Sequence, residues 1–172
     1  ILLSISINLS FTQNYNRNTM FGINPLGLIF KMYSGHIGTI INGGANEINI
    51  PFFYWNPLEG LTLAGGGAEY RFYRDRNGRG VFYGAGIKAM SVSWDYETYG
   101  YDDDWNYYTN TETITSIIFT PNLHIGYRWA WNSGFTLAPT IGAAYSLGEL
   151  RSSDGTAPST NLSGFGFTLG IG

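Results

Sequence analysis

The feature that most constrains this chain is an alternation of period two sustained far beyond an ordinary strand. From Phe135 to Glu149 the odd positions Phe135, Leu137, Pro139, Ile141, Ala143, Tyr145 and Leu147 are apolar. The even positions from Thr136 to Gly148 are small or polar. Such spacing puts every apolar side chain on one face of an extended strand. Strands of soluble sandwiches usually run about 5–6 residues, whereas a strand crossing a bilayer needs about 9–11. Thr113 to Trp129 repeats the pattern, with Ile117, Phe119, Leu123, Ile125, Tyr127 and Trp129 on one face. Asn122, His124 and Arg128 fall on the other, which must turn away from lipid and toward a lumen.

The same reading gives strands at Thr19 to Phe30, Gly35 to Asn42, Glu47 to Trp55, Leu61 to Tyr73, Val81 to Tyr96 and Leu162 to Ile171. In the fifth of these eight the apolar parity changes after Met90, which predicts a β-bulge near Ser91. Pro121 lacks an N–H and predicts a bulge or a weak point in its ladder. Short turn-rich connectors (Asn42 to Asn46, Arg74 to Gly80, Ala130 to Gly134) alternate with longer ones (Thr98 to Thr111, Arg151 to Ser159). That asymmetry belongs to membrane barrels. The fold class expected is therefore all-β: an eight-stranded antiparallel up-and-down transmembrane β-barrel.

Composition narrows the function. Charged residues are 12% and aromatics 17% of the chain, with 24 glycines and no cysteine. Without cysteine there is no disulfide framework, thiolate metal site or cysteine nucleophile. The net charge of -3 speaks against nucleic acid as a partner. No apolar run reaches the roughly 18 residues of a spanning helix. Residues 1–12, starting with the uncharged ILLSISINL, suit the apolar part of a secretory signal; a first strand is the alternative. Residues 13–172 then form the barrel domain.

Asn24-Pro25-Leu26-Gly27-Leu28, Ala68-Glu69-Tyr70-Arg71-Phe72-Tyr73 and Gly80-Val81-Phe82-Tyr83-Gly84-Ala85-Gly86 resemble segments of small bacterial outer-membrane β-barrels. So do His124-Ile125-Gly126-Tyr127-Arg128-Trp129 and the strand opening at Gly134-Phe135. The order and spacing, over 18–172, resemble the OmpA/OmpX-like superfamily, in particular its poorly characterised members. The resemblance implies an outer-membrane location and a closing aromatic residue, a place where this sequence has Gly172.

Two groups of residues could carry function. Glu69, Arg71, Lys88, Asn122, His124 and Arg128 are expected as a lumen polar network, with Glu47 and Glu112 nearer the rims; buried charges there must pair. His36 is expected at a rim. His124 with Ser116 and Glu69 makes an imaginable triad, but triads are defined by geometry, and no G-x-S-x-G signature is present. No catalytic residue is assigned. Trp94 to Glu112 holds half of the acidic residues and seven aromatic ones. Within it Tyr99, Tyr101, Asp102, Asp103, Asp104, Trp105, Tyr107 and Tyr108 form a candidate extracellular binding loop, since tyrosine-rich loops make adaptable surfaces. The three aspartates lack the spacing of a calcium loop, so no metal and no cofactor is expected. The arginines of the Arg74 to Gly80 turn read as a soluble turn or as contacts to inner-leaflet phosphates.

The function expected is non-enzymatic: a monomeric bacterial outer-membrane barrel with an envelope role, outer-membrane lipids as partners and a surface loop for an extracellular ligand. The alternatives are a lipid- or lipopolysaccharide-modifying enzyme, a soluble lipocalin-like ligand-binding barrel and a small pore.

Overall fold

The structure is a computed structural model. It describes residues 9–11, 18–101, 105–132, 135–152, 160–161 and 163–171. The expected signal remnant lies mostly outside them, except that Leu9–Phe11 forms a strand. The elements in chain order are β1 (Leu9–Phe11), β2 (Thr19–Ile23), α1 (Pro25–Ile29), β3 (Met32–Ile41), β4 (Asn46–Leu58), β5 (Leu61–Tyr73) and β6 (Gly80–Tyr101). There follow β7 (Tyr107–Ala130), β8 (Phe135–Leu137), β9 (Pro139–Ser146), β10 (Glu149–Ser152), β11 (Thr160–Asn161) and β12 (Gly164–Ile171).

Strands β2 to β7 pair in sequence order, each antiparallel to the next. β9 pairs with β7 on one edge and with β12 on the other. β1 bridges β2 and β8, and β8 pairs with β7. Among the described residues β12 pairs only with β9. The architecture is an all-β antiparallel meander. It is not closed into a barrel along its length, so the closed eight-stranded form expected from the sequence is not what the pairing gives.

The alternation survives folding, with an unusual sense. On β7 the odd side chains Ile117, Leu123, Ile125 and Tyr127 are exposed, while Ser116, Asn122 and Arg128 are buried. On β6 Tyr83 and Ile87 are exposed and Phe82 is fully buried. On β4 Ile48, Ile50 and Phe52 point outward, and Glu47 and Asn49 are sealed in. Polar and charged groups thus occupy the inner face, and large apolar side chains coat the outer one.

The inner face is curled. Arg128 on β7 touches the Met20 sulfur on β2, five places away in the strand order. Neighbouring strands lie about 4.8 Å apart, so β2 and β7 are separated by roughly 24 Å along the sheet. Only a strongly curved sheet brings such side chains together.

Three local expectations are corrected. Thr19 to Phe30 is not one strand. β2 stops at Ile23 because Asn24 caps a short helix, accepting a hydrogen bond from the Gly27 N–H at 3.1 Å, with Pro25 at the first helical position; proline is pre-set for that site and cannot donate to a ladder. No bulge occurs at Ser91: the β5–β6 and β6–β7 registers run through it without a shift. His36 does not sit exposed at a rim. It lies within β3, buried, on the inner face.

Pro121 makes no bulge either, and the β6–β7 register passes through it intact. It does break the ladder on its other side. β7 and β9 pair from Asn122↔Ala144 to Gly126↔Thr140 and meet again only at the Phe119↔Leu147 bridge. In that bridge the Phe119 N–H donates to Leu147 O at 2.8 Å. The next donor in that alternation falls at position 121, where proline has none.

Candidate functional site

Two places gather the chemistry-bearing residues: the inner charged face near the short-turn end, and the β6–β7 hairpin at the opposite end.

The inner face is held by a chain of alternating charges. Arg128 Nη1 lies 3.0 Å from Glu47 Oε2, and Glu47 Oε1 accepts from Arg71 Nη1 at 3.4 Å. Arg71 Nη2 reaches Glu69 Oε2 at 3.0 Å, and Lys88 Nζ stands 3.2 Å from Glu69 Oε1. Glu47 further accepts from the Tyr73 hydroxyl, which itself accepts from Arg128 Nη1 at 2.9 Å. Asn49 Nδ2 donates to Glu69 Oε2 at 3.0 Å. The register makes this possible, since Glu47 pairs with Arg71 and Asn49 with Glu69 across β4 and β5.

Aromatic rings and glycines complete the face. The Arg71 guanidinium lies 5.2 Å from the Phe82 ring centre, and that of Arg128 lies 5.9 Å from Tyr73. Phe82 also meets His124 edge-on at 6.1 Å. Large side chains fit because their neighbours are glycines. A Cβ on Gly38 would collide with Glu47, one on Gly126 with Phe82, and one on Gly84 with the His124 ring.

The structure brings Glu69, Arg71, Lys88 and Arg128 into one network. Asn122 and His124 form a separate pair, with His124 Nδ1 3.2 Å from Asn122 Oδ1. Glu47, expected nearer a rim, is the central acid and fully buried. Tyr73 and Asn49, not singled out from the sequence, are members. The signal for them was present: outward Ile48, Ile50 and Phe72 oblige Glu47, Asn49 and Tyr73 to face inward.

The imagined triad is not assembled. Ser116 and His124 are eight residues apart on β7, about 26 Å along an extended strand. The Ser116 hydroxyl donates instead to the Glu149 carbonyl. Glu69 is engaged by Arg71, Lys88 and Asn49. Among the described residues no group of His, Asp and Glu has the arrangement of a metal site.

The second place is the hairpin. β6 loses its β5 partner after Trp94, which pairs with Leu61, and β7 takes up its β10 partner only at Ile114. From Tyr96 to Tyr101 and from Tyr107 to Thr113 the two strands pair with each other alone among the described residues. That overhang of six residues reaches about 20 Å beyond the sheet. The expected loop at 98–111 is therefore mostly strand. Tyr99 and Tyr107 stack at 6.0 Å, and Tyr101 packs on Tyr107 at 5.8 Å and on Trp105 at 6.3 Å. Tyr108, on the opposite face, is exposed as well, and Trp105 is 83% exposed. The Tyr99 hydroxyl donates to Glu97 Oε2 at 2.6 Å, which holds the phenol above its ordinary range. Asp102, Asp103 and Asp104 lie outside the described residues.

No protein-family model matches the chain, and neither a curated protein nor a solved structure does.

Proposed function

We propose that this chain is a non-enzymatic β-barrel protein of a bacterial outer membrane. Its eight principal strands (β2 to β7, the β8–β9 strand and β12) span the lipid, and the β6–β7 hairpin stands outside as a binding surface. The observation that carries the reading is the inverted facing: charged groups buried on the curled inner face, with Leu123 66%, Ile141 56% and Phe167 70% exposed on the outer one. A soluble ligand-binding barrel needs the opposite arrangement. Water is a poor solvent for so much contiguous apolar surface, and hydrocarbon a good one.

Outward aromatics support the same reading. Tyr70, Phe72, Tyr83, Tyr127 and Trp129 gather at the short-turn end of the outer face, and Tyr33 and Tyr54 lie toward the other. From Tyr127 to Ile117 the outer face of β7 carries Ile125, Leu123 and Phe119, all exposed. Those roughly ten steps, at about 3.3 Å each and tilted by about 40°, span about 25 Å. An apolar band between aromatic girdles is about 25 Å tall. In this reading β1 fills the seam at the short-turn end, and its pairings with both β2 and β8 support closure there. Eight strands leave a lumen that side chains fill, which suits the ion-pair chain better than a conducting pore. Outer-membrane lipids are the partners of the outer face. The partner of the hairpin is an extracellular ligand, and the protein acts as a monomer.

The test is refolding of the full chain from denaturant with and without detergent micelles. Micelle-dependent β-sheet circular dichroism, with an unheated gel band that shifts on boiling, is expected. A stable β-fold in plain buffer would overturn the membrane reading.

A further inference from the structure

We infer that the β5–β6 turn, 74–79, is a built docking site for the phosphate of an anionic phospholipid headgroup. It anchors the short-turn end of the molecule at the membrane surface. The inference rests on the membrane reading above and goes beyond it by naming a lipid class and the residues that select it.

Three arginines fall within this turn, Arg74, Arg76 and Arg79, a third of the nine basic residues of the chain. Arg74 and Arg76 are exposed, and among the described residues neither has an ion pair. The adjacent Asp75 leaves the turn with an excess of positive charge. The opposite end is the electrical reverse, because Trp94 to Glu112 carries six acidic residues and no basic one.

The turn is rigid, which a merely soluble connector does not need. Arg74 N–H donates to Val81 O at 3.0 Å, and Arg76 N–H to Tyr73 O at 3.3 Å. The Asn77 side chain accepts from Arg79 N–H at 2.9 Å. The turn is also tied to its neighbour, with Gly78 N–H donating to Gly44 O at 2.7 Å. Gly44 sits so close to the backbone of Arg76 and Asn77 that no Cβ fits. Arg76 holds φ +50, a left-handed conformation that glycine or asparagine adopts at less cost. An arginine kept on a strained, fixed backbone points to a use for its side chain.

Position supplies the occupant. Gly80 at the end of the turn pairs with Arg128, next to the outward rings of Tyr127 and Trp129. Tyrosine and tryptophan favour the headgroup level. Guanidinium groups held just beyond such a belt meet lipid phosphates, to which arginine donates in bidentate fashion. Arginines near an anionic surface each contribute enough to change lipid affinity roughly fivefold.

The test is native mass spectrometry of the chain refolded in neutral detergent micelles, titrated with phosphatidylglycerol, with phosphatidylcholine or with inorganic phosphate. The shift of its gel band on boiling is checked first, so failure of the membrane reading is seen separately. The expected result is phosphatidylglycerol adducts well in excess of phosphatidylcholine adducts, reduced about fivefold in Arg74→Gln and in Arg76→Gly. Arg76→Gly is the decisive variant. It relieves backbone strain, so it should fold at least as well as the parent while losing the lipid preference. Equal retention of both lipids by the parent chain, a preference unchanged in Arg76→Gly, or inorganic phosphate bound as readily as the lipid would each overturn the inference.

Discussion

At the scale of single residues, Glu47 is where the inner face is most vulnerable. Two guanidiniums and a phenol converge on its carboxylate. Removing one partner of a buried ionic cluster typically costs about 3–5 kcal/mol, because the remaining charge stays buried without compensation. Glu47→Ala should therefore lower the urea midpoint of the refolded protein by an amount equivalent to about 3 kcal/mol or more. Glu69→Ala should cost less, since its partner Lys88 is 44% exposed and can return to water. Equal effects of the two would show that the network is not centred on Glu47. Gly84 offers an independent check, because a Cβ there falls on the His124 ring. Gly84→Val should destabilise by about 1–3 kcal/mol, the usual cost of overpacking. His124→Ala in the same chain should recover most of it, with the coupling read from a double-mutant cycle. Residue identities on this face were legible as parity. Their partners were not, because Arg128 meets Glu47 and Met20 only through the curl of the sheet, a distance between strands that no local spacing encodes.

At the scale of elements, strand positions were legible wherever one face of the sheet is apolar and the other is not. β4, β5, β7 and β9 fall close to where alternation puts them. The reading failed where that contrast disappears. Val92, Trp94 and Tyr96 look like a change of apolar face, but β6 keeps its register through them and leaves the sheet. Beyond Trp94 both faces of the ribbon are open, so aromatic residues no longer mark one side. α1 was missed because the cap and proline at Asn24-Pro25 outweigh the apolar run around them. Among the described residues the strands of the projecting hairpin pair only with each other, and an isolated two-stranded hairpin is at best marginally stable in water. Replacing 96–112 by a short Asn-Gly turn between Asp95 and Thr113 should therefore leave micelle refolding intact. Its urea midpoint should stay within about 1 kcal/mol of the parent, since segments open locally with little coupling to the whole. A loss of folding would mean that the hairpin supports the sheet. Within it, the Tyr99 hydroxyl donates to the Glu97 carboxylate. The neutral phenol is favoured by that bond, and ionising it would set two anions side by side. Tyr99 should ionise above an ordinary tyrosine in an NMR pH titration, and Glu97→Gln should bring it down.

At the scale of the whole molecule the question is which solvent the outer face is built for. Burial of apolar surface drives folding in water because apolar area is removed from it. Here the inner face holds ion pairs, and the apolar area remains outside after folding. In the proposed membrane reading lipid or detergent takes the place of water around that face, and the arrangement is then a low-energy one. The absence of cysteine makes this directly measurable, since a single introduced thiol has no competitor. Single cysteines at consecutive β7 positions from Asn122 to Ile125 should alternate in their reaction with a membrane-impermeant maleimide and with a lipid-soluble one. In micelles Leu123→Cys and Ile125→Cys should resist the water-soluble reagent and take the lipid-soluble one, although both side chains are exposed on the protein itself. Asn122→Cys and His124→Cys, on the inner face, should resist the lipid-soluble reagent. Thr109→Cys and Thr111→Cys, on the same strand but in the projecting hairpin, should react freely with the water-soluble one. Rapid aqueous labelling at 123 and 125 in the folded, micelle-bound protein would show that water bathes the outer face. The apolar girdle would then have to be assigned to contact with another protein surface instead of lipid.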